Sequence, residues 1–282
     1  MPITGKAKLA GVFGWPVGHS LSPRLHGFWL ERYGIDGVYV PLAVEPSNFE
    51  TALRALPKLG FLGANVTVPH KEAALAVCDE VDILAERIGS VNTVFVTPEG
   101  RLQGSNTDAF GFLENLNQEA PAWRADGGPA VVIGAGGAAR AVIVALADAG
   151  VPEVRLANRT FERAETLARD LGGPITVIPW PERTESLGGT NLLVNTTTQG
   201  MSGTPSLDLS LEALPGDALV TDIIYTPLKT KLLEEAQTRG NPTVDGLGML
   251  LHQARPGFAR WFGHEPEVDT ELRSFVLSGL TG

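Results

Sequence analysis

Ala130-Val-Val-Ile-Gly-Ala-Gly-Gly-Ala-Ala-Arg-Ala141 decides the fold. Ala130 to Ile133 is short, apolar and rich in β-branched residues, the composition of a strand buried on both faces of a parallel sheet. From Ala138 to Ala149 the chain turns to alanine, leucine and valine, and Gly150 stops the helix this predicts. Gly134, Gly136 and Ala139 fit the spacing of a dinucleotide-binding turn. The first glycine permits the tight turn, the second lets backbone approach a pyrophosphate, and the small third residue lets helix pack on strand. The helix N-terminus beyond the turn Gly134, Ala135, Gly136, Gly137 and Ala138 is expected to supply free N–H groups and the positive end of the dipole for that anion.

A second apolar run, Glu153-Val-Arg-Leu-Ala157, completes a strand–loop–helix–strand unit of the expected length. An acidic residue about 20 positions beyond the glycines would bind the ribose 2′-hydroxyl of NAD. Here the chain has Asn158-Arg159-Thr160. A guanidinium at that point suits a 2′-phosphate through charge-assisted hydrogen bonds, so the expected cofactor is NADP(H). Arg163, one helical turn on, either shares that phosphate or is a solvated first-turn charge; Arg140 reads as a surface charge.

Composition excludes several classes. The 282 residues are enough for two domains, and 22 basic against 32 acidic residues give a formal charge of −10, which argues against a nucleic-acid surface. Cys78 is the single cysteine, so neither an internal disulfide nor a zinc site is expected, and no metal site is read from the histidines. Met1 to Ala10 lacks an apolar signal core and no run approaches a membrane span of about 20 residues, so a cytoplasmic protein with no membrane partner is expected.

Taken in order, Leu9–Phe13 reads as a first strand and Pro23 opens a helix to about Tyr33. Ser22 is either that helix's cap or, with Ser20, a hydroxyl offered to a carboxylate. Val38–Leu42 is a second strand, Asn48–Leu59 a helix, and Gly63–Val68 a third strand. Asn65, Thr67 and Lys71 fall at or just past the end of that strand, where ligands bind in open α/β sheets. Lys71 is an exposed helix-start residue or a cleft lysine able to exchange a proton; His70 reads as structural. Helical segments follow from about Ala73 to Ile88, then Gly89–Val96 and Leu102–Asn106 as a hairpin, and a helix opened by Asp108. After the glycine turn come a helix Phe161–Leu171, strands Leu192–Asn195 and Ala218–Ile223, a helix Lys229–Arg239, a short strand Thr243–Asp245, and an amphipathic helix from Gly246 toward Phe262.

Laid out this way, the chain resembles the shikimate dehydrogenases over essentially its whole length. The resemblance rests on Gly18-His-Ser-Leu-Ser-Pro23, Asn65-Val-Thr-Val-Pro-His-Lys71, Val91-Asn-Thr93, Asn106-Thr-Asp108, Gly134-Ala-Gly-Gly-Ala138, Asn158-Arg-Thr160 and Gly248-Met-Leu-Leu-His-Gln253. It implies two α/β domains: residues 1–106, completed by the terminal helices of 246–282, for substrate, and 107–245 as a doubly wound Rossmann-type NADP domain. It implies Lys71 and Asp108 as the catalytic pair, Ser20 and Ser22 on the substrate carboxylate, and Asn65, Thr67, Asn92, Tyr225 and Gln253 toward the ring hydroxyls. Thr196, Met201, Ile223 and Gly246 would line the cofactor site. Thr196 departs from the alanine more usual in the family and adds a hydroxyl near the cofactor. The implied reaction is reversible reduction of 3-dehydroshikimate to shikimate by NADPH, in a monomer or homodimer. The alternatives are a quinate/shikimate dehydrogenase of the same fold and a non-catalytic NADPH-binding regulator.

Overall fold

The computed structural model describes residues 3–279 and divides into two compact units, residues 1–107 with 253–282, and 108–252. The first unit opens β1 (Lys8–Gly14), α1 (Ser22–Arg32), β2 (Gly37–Ala43), α2 (Phe49–Ala55), β3 (Phe61–Val66), α3 (Lys71–Val77), β4 (Glu80–Val81), α4 (Ile83–Ile88), β5 (Thr93–Val96) and β6 (Leu102–Ser105). Its sheet runs β2-β1-β3-β5-β6-β4; β2, β1 and β3 are parallel, and β5 turns back antiparallel on β3 and forms the expected hairpin with β6. The helix expected over 48–59 is broken: 3-10 turns at Pro46–Asn48 and Leu56–Leu59 flank a seven-residue α2, with Pro57 unable to continue the hydrogen-bond ladder. The helical stretch expected over 73–88 contains the two-residue β4, which pairs with β6.

The second unit holds α5 (Asp108–Glu119), β7 (Ala130–Ile133), α6 (Gly137–Asp148), β8 (Val154–Ala157), α7 (Phe161–Leu171), β9 (Ile175–Ile178), β10 (Leu192–Asn195), β11 (Leu219–Asp222), α8 (Lys231–Arg239) and β12 (Thr243–Val244). Its six strands are all parallel in the order β12-β11-β10-β7-β8-β9, so the winding reverses between β7 and β10. That is the doubly wound arrangement, with its switch point at the end of β7. All four residues of β7 and of β10 are buried, as strands covered on both faces must be. The sequence reading passed over β9, whose half-exposed edge position weakens the apolar signal.

The helix α9 (Leu247–Phe262) is shared: residues through His252 go with the second unit and those from Gln253 with the first. The division expected at 246 thus lies a few residues later, inside α9 between His252 and Gln253, and 107 goes with the first unit rather than the second. The part of the chain beyond Gln253, ending in α10 (Thr270–Leu277), packs on the first unit. Trp29 Nε1 donates to Glu267 O at 3.0 Å, and Arg32 pairs with Asp269 at 2.7 Å and Glu271 at 2.5 Å. Gly63 makes close approach possible, because its φ of +153° and the nearness of Val94 O and Trp261 Nε1 leave no room for a Cβ. Trp261 then donates to Val94 O at 3.2 Å. Among the described residues no helix is long and apolar enough to cross a membrane, and no group of metal-ligating side chains forms.

His26 lies at the centre of the first unit's aromatic packing, fully buried, stacked on Tyr39 at 3.9 Å and set edge-on to Trp29 at 5.7 Å. Neither ring nitrogen has a hydrogen-bond partner among the described residues. Burial pushes its pKa down to about 3, against a weaker opposing pull from Asn65. Between pH 6.5 and about 3 the unfolded chain carries a proton here that the folded chain does not, so stability is lost as pH falls through that window. Urea unfolding at pH 7 and pH 4.5 should show His26→Phe losing less stability than the parent, by up to about 1.4 kcal/mol per pH unit. Parallel pH profiles for the two proteins would sink this account.

Candidate functional site

In the first unit the candidate side chains collect past the carboxyl ends of β1 and β3 and around the β5–β6 hairpin. Leu21, not Ser22, occupies the capping position of α1 and no side chain caps that end. Ser22 is the first helical residue, buried, and its N–H donates to Ser20 Oγ at 3.3 Å. The capping reading of Ser22 therefore fails, and the two serines sit together at a helix start. Thr67 follows β3, with its N–H on Phe13 O at 2.9 Å and its carbonyl accepting from the N–H of His70 at 2.9 Å. The turn so made delivers Lys71, half-buried, as the first residue of α3. His70 is structural as expected: its ring is stacked on Phe49 at 4.4 Å and Nε2 lies 2.8 Å from Val44 O.

Asn65, Asn92 and Gln253 are brought into one hydrogen-bonded network. Asn65 Nδ2 donates to Asn92 O at 3.2 Å and Thr93 Oγ1 at 3.0 Å. Asn92 Oδ1 accepts from the Thr107 N–H at 2.9 Å, and Asn92 Nδ2 donates to Gln253 Oε1 at 3.2 Å. Asp108 comes immediately after Thr107 as the first residue of α5, buried at 8 % exposure, and belongs to the second unit.

In the second unit the glycine turn is built as the sequence implies. Gly134 has φ +108°, and a Cβ there would meet Thr196 Oγ1 at 2.8 Å and Thr197 Cγ2 at 2.9 Å. At Gly136, the cap of α6, and at Gly137 a Cβ would meet nothing within 4 Å, so backbone N–H groups are open to an approaching group. The third small position, Ala139, is fully buried, and Ala138 is half-buried beside it. Asn158 ties two loops together: Oδ1 accepts from the Ala135 N–H at 3.2 Å and Nδ2 donates to Thr160 O at 2.7 Å. Arg159, Thr160 and Arg163 are exposed beyond β8, and among the described residues neither arginine makes an ion pair. Arg140 instead pairs with Asp170 at 3.1 Å, the surface role expected of it. Uncrowded backbone at Gly136 and Gly137 with two guanidinium groups past the next strand is what a phosphorylated dinucleotide requires.

The hydroxyl of Thr196 is spent on Ile133 O at 2.8 Å, at the end of β7. It braces the glycine turn, so the departure from alanine is accommodated by the backbone. Ile223 donates its N–H to Asn195 O at 3.2 Å, and Gly246 packs so closely on the Ile223 and Ile224 carbonyls that only glycine fits. Tyr225 is half-buried, its phenol pKa raised by burial, and Met201 is 43 % exposed. The sequence reading missed Asp222, a fully buried carboxylate at the end of β11. It accepts from Asn195 Nδ2 at 3.1 Å, Thr230 Oγ1 at 2.8 Å and the Ile224 N–H at 3.0 Å. Burial raises its pKa despite these donors. An aspartate closing an apolar strand, Leu219-Val-Thr-Asp222, was the available signal.

Comparison with known proteins agrees with this geometry. The family profile "Shikimate dehydrogenase substrate binding domain" matches residues 12–94, "Shikimate / quinate 5-dehydrogenase" residues 118–202, and "Shikimate 5'-dehydrogenase C-terminal domain" residues 246–270. A protein of Paramagnetospirillum magneticum named shikimate dehydrogenase (NADP(+)) is 66 % identical over 98 % of this chain and 100 % of its own. The Thermus thermophilus shikimate 5-dehydrogenase solved with NADP(H) and shikimate superposes with TM-score 0.84 at 40 % identity, covering 97 % of this chain and 98 % of that one. The quinate dehydrogenase of Corynebacterium glutamicum, solved with NAD, gives TM-score 0.90 at 31 % identity over 96 % of this chain and 99 % of that one. With an alignment that spans 98 % of the chain at 66 % identity, and family profiles matching along both units, the chain belongs to the shikimate dehydrogenase family.

Proposed function

We propose that this protein catalyses the reversible, NADPH-dependent reduction of 3-dehydroshikimate to shikimate in the cytoplasm. The observation that carries the reading is the 66 % identity over 98 % of the chain to a relative named for that activity. Arg159, standing where an NAD enzyme places an acid, supports the choice of NADP over NAD and weighs against the quinate/NAD alternative.

The chain's own residues divide the work. Ser20 and Ser22 donate hydroxyl hydrogens to the substrate carboxylate, and Asn65, Thr67, Asn92, Tyr225 and Gln253 hold the ring hydroxyls. The turn Gly134–Ala138 receives the pyrophosphate at its helix end, on the N–H groups from Gly136 onward, since those of Gly134 and Ala135 are held by Ala157 O and Asn158 Oδ1. Asn158, Arg159, Thr160 and Arg163 hold the adenosine end, with the guanidinium groups on the 2′-phosphate. Thr196, Met201, Ile223 and Gly246 shape the nicotinamide end. Bound NADPH supplies the hydride to the ring ketone carbon. Lys71 gives a proton from Nζ to the ketone oxygen, so that the C=O becomes CH–OH, and takes it back in the oxidative direction. Asp108 orients Lys71 and the reacting oxygen. Retention of both Lys71 and Asp108 weighs against a regulator that only binds, since binding alone needs no proton donor.

The direct test is NADP⁺ reduction by the purified protein with shikimate, run beside quinate and beside NAD⁺. Strong turnover with shikimate and NADP⁺ alone is expected, whereas comparable rates with quinate or NAD⁺ would move the assignment to the quinate-oxidising relatives. Lys71→Ala should lower kcat by about 10²–10⁴-fold while KM for shikimate moves only a few-fold, because a proton donor acts mainly in the transition state. An equal loss in both parameters would reduce Lys71 to a positioning group. Arg159→Asp should raise KM for NADPH by roughly tenfold or more and leave KM for NADH unchanged, the loss of a charge-assisted hydrogen bond to phosphate. Unaltered cofactor preference would remove the 2′-phosphate assignment.

A further inference from the structure

Asn65 is engaged on three sides. Its Nδ2 donates to Asn92 O and Thr93 Oγ1, while its Oδ1 accepts the Tyr39 hydroxyl at 2.6 Å. A main-chain carbonyl can only accept, so the atom facing Asn92 O is the amide nitrogen. The amide oxygen must therefore face Tyr39, and the phenol must be the donor. With both amide hydrogens committed, a ligand hydroxyl that reaches Asn65 finds only the remaining Oδ1 lone pair.

Tyr39 is built for that single bond. It lies opposite Ala10 of β1, two rows before the Val12–Asn65 pair on the same sheet. Its ring is clamped against His26 with an interplanar angle of 4° and is 7 % exposed. Burial raises the phenol pKa well above 10, so the donor keeps its proton throughout the working range. One buried side chain thus holds a residue assigned to a ring hydroxyl.

We propose that Tyr39 is a positioning residue for substrate: by donating to Asn65 Oδ1 it fixes that amide as an acceptor toward a ring hydroxyl. The inference rests on the substrate role given above to Asn65. It is tested by steady-state oxidation of shikimate with NADP⁺ by the parent protein, Tyr39→Phe, Asn65→Ala and the double variant. Tyr39→Phe should raise KM for shikimate by about five- to tenfold, the scale of one hydrogen bond, with kcat within about threefold and KM for NADP⁺ within about twofold. In the Asn65→Ala background the same change should add less than about twofold, because its effect passes through the missing amide. A folded Tyr39→Phe with unchanged KM, or losses that multiply independently in the double variant, would overturn the proposal. Should Tyr39→Phe not fold, Thr93→Val releases the same amide from its other side and must give the same split of KM from kcat, an unchanged KM again overturning it. A parent protein inactive on shikimate overturns the functional reading first and this inference with it.

Discussion

Parallel pairing makes neighbouring strands run the same way, so they end at a common edge, and that constraint governs where chemistry can sit in this molecule. A parallel connection must return over the sheet, and where it does so as a helix that helix begins with N–H groups that have no partner within it. In the first unit this edge carries Thr67 and Lys71 after β3 and the two serines after β1. In the second it carries the glycine turn after β7, Asn158 to Thr160 after β8, Thr196 after β10 and Ile223 after β11. Apolar strand interiors and polar strand ends are two results of one pairing rule.

The glycine turn shows how little freedom is left once the strands are placed. Gly134 adopts a backbone conformation closed to other residues while Thr196 and Thr197 crowd the place of its missing side chain. Thr196 then uses its hydroxyl on the last carbonyl of β7. Residues 62 positions apart in the chain thereby fix one turn, and the backbone of Gly136 and Gly137 follows directly from it.

Elements with strong local signals were legible in the sequence: the bounds of β7, α7 and β10 match their expected residues, because buried parallel strands and an amphipathic helix advertise themselves in composition. Elements defined by a partner were not. The two residues of β4 are a strand only because β6 lies beside them, and β9 is an edge strand with a half-exposed face. The division of α9 between two units leaves no mark in a sequence that is helical on both sides of Gln253. In the site, Lys71, Asn65 and Arg159 could be singled out from their place after a strand. Tyr39 could not, since its bond to Asn65 spans 26 residues and a tyrosine in an apolar strand looks like core. For Ser22 the sequence leaves two readings, because a serine before proline also fits a cap; the cap reading fails since the helix begins one residue earlier than it requires.

Asp222 extends this dependence on distant partners to the loops of the second unit. Its carboxylate holds the side chain of Asn195, the hydroxyl of Thr230 at the start of α8 and the N–H of Ile224. Asn195 in turn accepts from the Thr197 N–H at 3.0 Å, and Thr230 from the Leu233 N–H at 3.4 Å. No one of these segments can swing outward without leaving a buried charge short of donors, which makes piecemeal opening costly. In the terms of native-state hydrogen exchange, the turn after β10, the turn after β11 and the first turn of α8 form one cooperative unit that opens together or stays shut.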